Sequence, residues 1–391
     1  MKANEQNLSR IPYLDGLRCL AVAAVVLFHY FSRWTPPLNP SSLYPYGSAF
    51  AALFQYGLYG VQLFFIVSGF VIALTLYRCS TFLEFAIRRL ARLWPSMFLC
   101  SLLTLIIISI VPNHALYSST AGLLPSLTFL DPLIFNRMLH THIFDWIDAA
   151  YWSLFVEVRF YFFAGLLFFW RRESFPETMT YFSFTVMTLM LLASIFNLAK
   201  IAFLLSFFFI ADTIPWFLIG IALYLHFKGS KTRLPYMQFG GAILYLAGMG
   251  IIQHSYPLTM VAIVIPSIFL AGVYFAPFRW VLSQRLITAI GAASYSFYLL
   301  HQYIGVTLIH FLSGTLHLEG KLSALVAIVI TIAVASVARL IYVYWEHPIN
   351  RYIVDRLCGK PSYLQQHAGR SAFSSIPVPP REVIRKVELS E

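Results

Sequence analysis

The chain has 391 residues, of which 59% are hydrophobic and only 11% charged, against about 45–50% and 25% in soluble domains. With a mean hydropathy of +0.73 and apolar runs near the length that crosses about 30 Å of hydrocarbon, the composition excludes a soluble cytosolic enzyme, a disordered chain and a disulfide scaffold. The net charge of +11 sits in short connections between apolar runs, the pattern of membrane topology and not of a nucleic-acid-binding surface, so no nucleic-acid partner is expected. Cys19, Cys79, Cys100 and Cys358 show neither metal-ligand spacing nor a pairing pattern and read as structural thiols.

The expected fold is an all-α polytopic membrane bundle of about ten spans, near residues 16–32, 56–77, 93–112, 151–170, 179–198, 206–227, 237–253, 256–275, 288–312 and 322–345. Asp212 and Pro215 interrupt the sixth. The first run ends near Phe31, and the best small-residue cleavage match, Ala49-Phe50-Ala51, lies too far beyond it, so this run is expected to stay as the first helix. An even number of spans puts both termini on one side. Basic residues number twenty on that side against four on the other, which predicts cytoplasmic termini. Residues 1–350 read as the membrane domain and 351–391 as a short polar tail.

The longest connection, roughly 113–150, carries Asp131, Asp145, Asp148, His114, His140 and His142. A connection of this length suits folding back over an external site. Its histidines lack a zinc pattern and read as solvated loop residues, so no metal is expected.

Within the apolar spans stand Arg18, His29, Glu157, Arg159, His301 and Arg339, with Asp15 and Glu346 at the borders. Such groups are costly in hydrocarbon and usually face a bundle interior or a wet cavity. Arg18 and His29 are eleven residues apart on one helix, which separates them by about 16 Å along the axis and about 20° around it. They line one face, a cation near the inner mouth and an imidazole deeper in, able to hold phosphates and take a proton respectively. Arg88, Arg89 and Arg92 open the third span, with Arg89 and Arg92 on one face, suited to a polyanionic ligand or to simple positive-inside anchoring. Glu157 lies about one turn inside the fourth span, with Tyr161 a turn further. It reads as a carboxylate that orients an imidazole or binds a sugar hydroxyl, or as an internal ion pair, although Arg159 two residues on points to another face. His301 shares a face with Tyr298 and Phe297 and suits helix-to-helix hydrogen bonding, a possible secondary site with Tyr298. Gly57, Gly60 and Gly69 are expected at close helix crossings.

In order along the chain stand Leu14-Asp15-Gly16-Leu17-Arg18 with His29, Gly60-Val61-Gln62-Leu63-Phe64-Phe65-Ile66-Val67-Ser68-Gly69-Phe70, Arg89 with Arg92, Trp152-Ser153-Leu154 with Glu157, Phe160 and Tyr161, and Ser294-Tyr295-Ser296 with Tyr298 and His301. Over about residues 10–350 this set resembles acyltransferase family 3, membrane proteins that transfer acyl groups, commonly acetyl from acetyl-CoA, to cell-envelope sugars and other acceptors. The resemblance implies His29 as the catalytic histidine, Arg18 as its companion, and Arg89 and Arg92 as the basic pair associated with the acyl-CoA donor. Gln62 stands where the family often has an acidic residue, and Glu346-His347-Pro348 where it closes on Glu-Arg-Pro. Some relatives carry an additional extracytoplasmic hydrolase-like domain, which is not expected here.

Together these readings give a membrane O-acyltransferase, in a bacterial cytoplasmic (inner) membrane, that moves an acyl group from cytoplasmic acyl-CoA to an envelope glycan or lipid-linked saccharide. Arg18, Arg89 and Arg92 are the acyl-CoA-binding residues, His29 is the general base or acyl carrier, and Glu157 and Asp15 are candidates to orient it. The rival class is a secondary transporter or flippase, which also uses intramembrane His, Glu and Arg, although no inverted repeat is evident. A third reading is the same chemistry on a lipid or antibiotic-like small molecule.

Overall fold

The computed structural model describes residues 11–40, 42–44, 46–112, 116–318 and 320–359, and the described residues contain helices but no strands. In chain order the helices are α1 (Pro12–Phe31), α2 (Ala51–Phe54), α3 (Gly60–Leu76), α4 (Phe82–Ile110), α5 (Leu123–Thr128), α6 (Pro132–Met138), α7 (Trp152–Trp170), α8 (Phe175–Ile195) and α9 (Ala199–Phe209). There follow α10 (Ile214–Phe227), α11 (Leu234–Ile252), α12 (Tyr256–Tyr274), α13 (Ala276–Leu282), α14 (Arg285–Ala292), α15 (Ser294–His301), α16 (Tyr303–Thr315), α17 (Ala324–Ile341) and α18 (His347–Leu357). Short 3-10 turns extend α3 and α7 at their starts, and a π-helical turn over Tyr342–Glu346 joins α17 to α18.

Among the described residues, eight helices are long and apolar enough to cross a membrane, or nine when α9 and α10 are counted as one span bent by 42°. The chain is an integral multi-pass membrane protein. The all-α multi-pass bundle of about ten spans is as expected, with two of the expected spans broken and α16 (Tyr303–Thr315) a shorter apolar helix. The sixth expected span breaks at Ile210, whose φ of 52° puts a branched side chain in the left-handed region and ends α9. The ninth, residues 288–312, is divided among α14, α15 and α16. The third starts eleven residues earlier than expected because Thr81 caps α4, accepting from Glu84 N at 3.1 Å, while the Glu84 carboxylate accepts from Ser80 N at 2.8 Å. Arg88, Arg89 and Arg92 therefore stand two to three turns inside a helix and not at its beginning.

Lipid offers helices no hydrophobic drive to associate, so packing rests on close small-residue crossings. All three expected glycines serve one. A Cβ on Gly57 or Gly60 would meet the Ala24 or Ala21 carbonyl of α1 at 2.2 or 2.5 Å, and one on Gly69 would meet Phe217 O at 2.2 Å. Gly220 answers from α10, where an added Cβ would lie 2.1 Å from Ile66 O. The centre is filled by Leu17, Val22, Val25, Val26, Phe70, Phe160 and Phe217, all essentially without exposure. Phe160 and Phe217 stack at 4.0 Å.

The long connection after α4 packs back along the bundle. Trp94 Nε1 donates to Leu127 O at 3.2 Å, and Asp131 pairs with Arg159 at 3.2 Å. Trp94 lies sixteen residues before the end of α4, so this segment returns about 24 Å along the helix. His140 and His142 are exposed, and no metal-binding cluster occurs among the described residues. His114 lies outside them, as do residues 360–391 of the expected tail. The boundary expected at 350 falls within α18.

Candidate active site

Asp15, Arg18 and His29 all belong to α1. The Asp15 carboxylate is buried and accepts from Arg18 Nη1 at 3.1 Å. One turn of helix separates the two residues, so the acid fixes the guanidinium against α1 while leaving its other nitrogens free to face a ligand.

On α4, Arg88 turns to Glu84, 2.9 Å away, whereas Arg89 and Arg92 face inward. Among the described residues neither inward arginine forms an ion pair. Arg89 lies 6.0 Å over the Tyr161 ring, and its buried Nε has no partner. On the Arg92 side of α4 the carboxylate is Glu346, bonded to Ser96 one turn further along the helix. Glu346 is itself held by Ser96 Oγ and Ser296 Oγ, which donate to it at 3.0 and 2.8 Å. The π-helical turn that carries Glu346 is a local widening of the kind common at functional sites. Trp345 Nε1, from the same turn, donates to Pro95 O at 2.8 Å.

These guanidiniums open on one pocket. Arg18, Arg89, Arg92 and Glu157 supply its charge, Ser68, Ser153, Tyr161, Tyr295 and Tyr298 its hydroxyls, and Val61, Phe64, Phe65, Val71, Leu93 and Leu154 its apolar wall. Glu157 Oε1 accepts from Ser68 Oγ, and from Tyr161 OH at 2.6 Å. Arg159, the alternative ion-pair partner, points away to Asp131 and to Phe207 O.

Tyr298 joins this pocket to the histidines. Its hydroxyl donates to Ala150 O at 2.9 Å and accepts from Ser153 Oγ at 2.8 Å. Its ring meets Phe64 at 5.9 Å on one side and His301 at 5.2 Å on the other. His301, completely buried, approaches His29 with Nε2 to Nδ1 at 3.1 Å and ring centroids 4.8 Å apart. The expected helix-to-helix hydrogen bond of His301 thus exists, and its partner is His29. Asp15 and Glu157, expected to orient His29, do not contact it.

The last turn of α1 is capped from the loop that follows. Tyr44 OH donates to His29 O and Tyr46 OH to Tyr30 O, satisfying carbonyls that a helix end leaves open. Asp148 ties this end together from another direction: Oδ1 accepts from Ala150 N at 2.8 Å and Oδ2 from Tyr303 N at 2.7 Å, the first amide of α16. Burial pushes the Asp148 carboxyl up to about 7.

Five expected site residues, Arg18, Arg89, Arg92, Glu157 and Tyr298, therefore line one pocket, His29 and His301 form a pair behind Tyr298, and Asp15 supports Arg18 from beneath. Sequence reasoning missed the anchoring of Glu346 and the serines that hold the two carboxylates. Glu346 had a signal, a carboxylate at the border of an apolar span. Ser68 and Ser296 stood within the motifs that carry the family resemblance, although no role was read from them, and Ser96 had no signal beyond its place in an otherwise apolar helix.

A family model described as an acyltransferase domain matches residues 11–343. A 161-residue stretch, 39% of this chain, is 26% identical to the Bacillus subtilis (strain 168) protein named "Putative peptidoglycan O-acetyltransferase YrhL" and spans 22% of that protein. No solved structure matches. With the match running through every helix that builds the pocket and the histidine pair, the chain belongs to acyltransferase family 3.

Proposed function

We propose that this protein is a membrane O-acyltransferase that takes an acyl group, acetyl in the first instance, from acyl-CoA on the cytoplasmic side and passes it to a hydroxyl of an envelope glycan or lipid-linked saccharide. The observation that carries the reading is a single pocket in which three arginines stand toward the start of α1 while Tyr298 leads to a histidine pair near its end. In this reading the membrane is a bacterial inner membrane and the start of α1 faces the cytoplasm, an orientation that the positive-inside bias supports. Residues 1–350 form the catalytic unit in this reading.

Arg18, Arg89 and Arg92 hold the phosphates of the donor, since planar guanidiniums match phosphate oxygens with paired N–H groups. The acyl-bearing arm extends along the apolar wall toward Tyr298 and His29, over the roughly 16 Å that eleven helical residues span. His29 then takes the acceptor hydroxyl's proton on Nε2 while that oxygen bonds to the thioester carbonyl carbon. The C–S bond breaks, and the imidazolium returns the proton to the departing sulfur. Transient transfer of the acyl group to His29 itself gives the same products in two steps.

The test is label transfer from radiolabelled acetyl-CoA by purified protein in proteoliposomes, with a crude envelope-glycan extract as acceptor. Acceptor-dependent CoA release, lost in His29→Ala, is the expected result. Full transfer by His29→Ala overturns the mechanism, and solute movement across the bilayer without any donor overturns the enzyme reading in favour of transport.

A further inference from the structure

The two histidines are joined by more than proximity. His301 Nδ1 lies 2.6 Å from the Tyr298 carbonyl oxygen. A carbonyl oxygen only accepts, so this nitrogen carries the proton, and in the neutral ring Nε2 is bare. His29 Nδ1 lies 2.9 Å from Val25 O and 3.1 Å from His301 Nε2. With an acceptor on each side, His29 Nδ1 also carries its ring's proton, which leaves His29 Nε2 bare. No hydrogen-bond partner of His29 Nε2 occurs among the described residues.

We propose that His301 is the positioning residue for His29: its bare Nε2 accepts from His29 Nδ1–H, holds that ring with Nε2 aimed at the acceptor, and steadies the positive charge the ring gains with the acceptor's proton. The inference rests on His29 acting as the base. It assigns to a second imidazole the part that a carboxylate plays in a Ser-His-Asp triad. No carboxylate does so here, because Asp15 is engaged with Arg18 and Glu157 with Ser68 and Tyr161. The Val25 carbonyl, four residues back, shares the same proton and holds the ring only relative to α1, whereas His301 ties it to α15. His301 comes from the opposite side of the sequence, on a helix anchored by Ser296 to Glu346 and by Tyr298 to Ala150. The relay ends on the Tyr298 carbonyl, which has no proton to give and holds none, so His301 orients and does not conduct.

The experiment compares wild type, His301→Leu, His301→Gln, His29→Gln and the double variant His29→Gln/His301→Leu in proteoliposomes, using radiolabelled acetyl-CoA and the envelope-glycan extract. Leucine removes the acceptor, whereas glutamine keeps an oxygen that accepts from His29 Nδ1–H. The expected result is a fall of about 100-fold in kcat for His301→Leu, with acetyl-CoA KM changed less than about threefold. His301→Gln recovers at least about tenfold of that loss, and the double variant is no slower than His29→Gln alone. If His301→Leu does not purify as monodisperse protein, His301→Met replaces it under the same criteria. Retained kcat in the leucine variant, equal losses for glutamine and leucine in folded protein, or losses that multiply in the double variant each overturn the proposal. Wild-type turnover by His29→Gln overturns instead the reading of His29 as base, so the two failures are distinct.

Discussion

Arg89 is the cleanest probe of the proposed donor site. Arg18 is held to Asp15, a carboxylate only 3% exposed, and deleting one partner of a buried pair costs about 3–5 kcal/mol in folding. Its variants would confound stability with binding. Arg89 forms no ion pair among the described residues, and its buried Nε is unpartnered. Arg89→Gln therefore leaves no ion-pair partner stranded and gives up the contact with the Tyr161 ring, worth about 0.5–2 kcal/mol. In the loaded protein the same substitution removes charge-assisted hydrogen bonds to phosphate, worth about 1.5–3 kcal/mol, which is a loss of about 10- to 150-fold in donor affinity. Calorimetric titration of CoA into protein in nanodiscs reads this directly. Arg89→Lys is expected to bind nearly as weakly, because an ammonium does not reproduce the planar fork. At saturating acetyl-CoA both variants turn over within a few-fold of wild type. Unchanged CoA affinity in Arg89→Gln, or a fall in kcat at unchanged affinity, refutes the assignment of this arginine to the donor.

Two further outcomes test the bundle itself. Gly69→Ala places a methyl 2.2 Å from the Phe217 carbonyl, whereas Gly248→Ala places one where nothing lies within 4 Å. The first is expected to lose about 1–3 kcal/mol through overpacking and the second to gain up to about 1 kcal/mol of helix propensity, so their melting temperatures in detergent move in opposite directions. Melting temperatures that move together would show that this crossing is not tight. Asp148 offers a pH test. Its carboxyl is pushed up to about 7 by burial, from about 3.9 in an unfolded chain. The folded protein thus holds the proton more tightly, and this contribution to stability is complete below about pH 4 and is lost as pH rises through about 7. Between about pH 5 and 8 the melting temperature of wild type is expected to fall more steeply than that of Asp148→Asn, and equal slopes count against the burial argument.

Most of the chemistry-bearing residues were legible in the sequence because hydrocarbon makes polar groups conspicuous. Arg18, Arg89, Arg92 and Glu157 stood out against apolar neighbours, and helical spacing put Arg18 with His29 and Arg89 with Arg92. What spacing cannot give is contact between distant helices. His29 and His301 are 272 residues apart in sequence, and no periodicity on either helix announces the pair. The same limit explains why Asp15 and Glu157 were expected to serve His29, when one holds Arg18 and the other takes hydroxyls from α3 and α7. Hydropathy located the spans but not the breaks within them, where it stays high while the backbone turns. Residues 288–312 are apolar enough for one helix, yet Gln302 adopts φ −76° and ψ −69° between α15 and α16, and Asp148 caps the amide that follows. A hydropathy window does not register such a break, because it depends on an acceptor supplied from another part of the chain.

The charges around the pocket carry an argument about why it is built this way. Three guanidiniums gathered in one pocket among apolar helices are costly unless their charge is answered. Three carboxylates answer them, but from different positions: Asp15 touches Arg18, while Glu157 and Glu346 spend their hydrogen bonds on Ser68, Tyr161, Ser96 and Ser296. The charge is thereby compensated at a distance while most guanidinium N–H groups of Arg89 and Arg92 stay available. Direct ion pairs would have occupied those donors, and a phosphate ligand would then have had to displace a carboxylate. Hydroxyl-anchored carboxylates avoid that competition. They leave a pocket whose surface presents positive N–H groups although its surroundings are close to neutral. A polyanion entering it gains the unused hydrogen bonds without breaking existing ones, which is the condition for donor binding to preorganised groups.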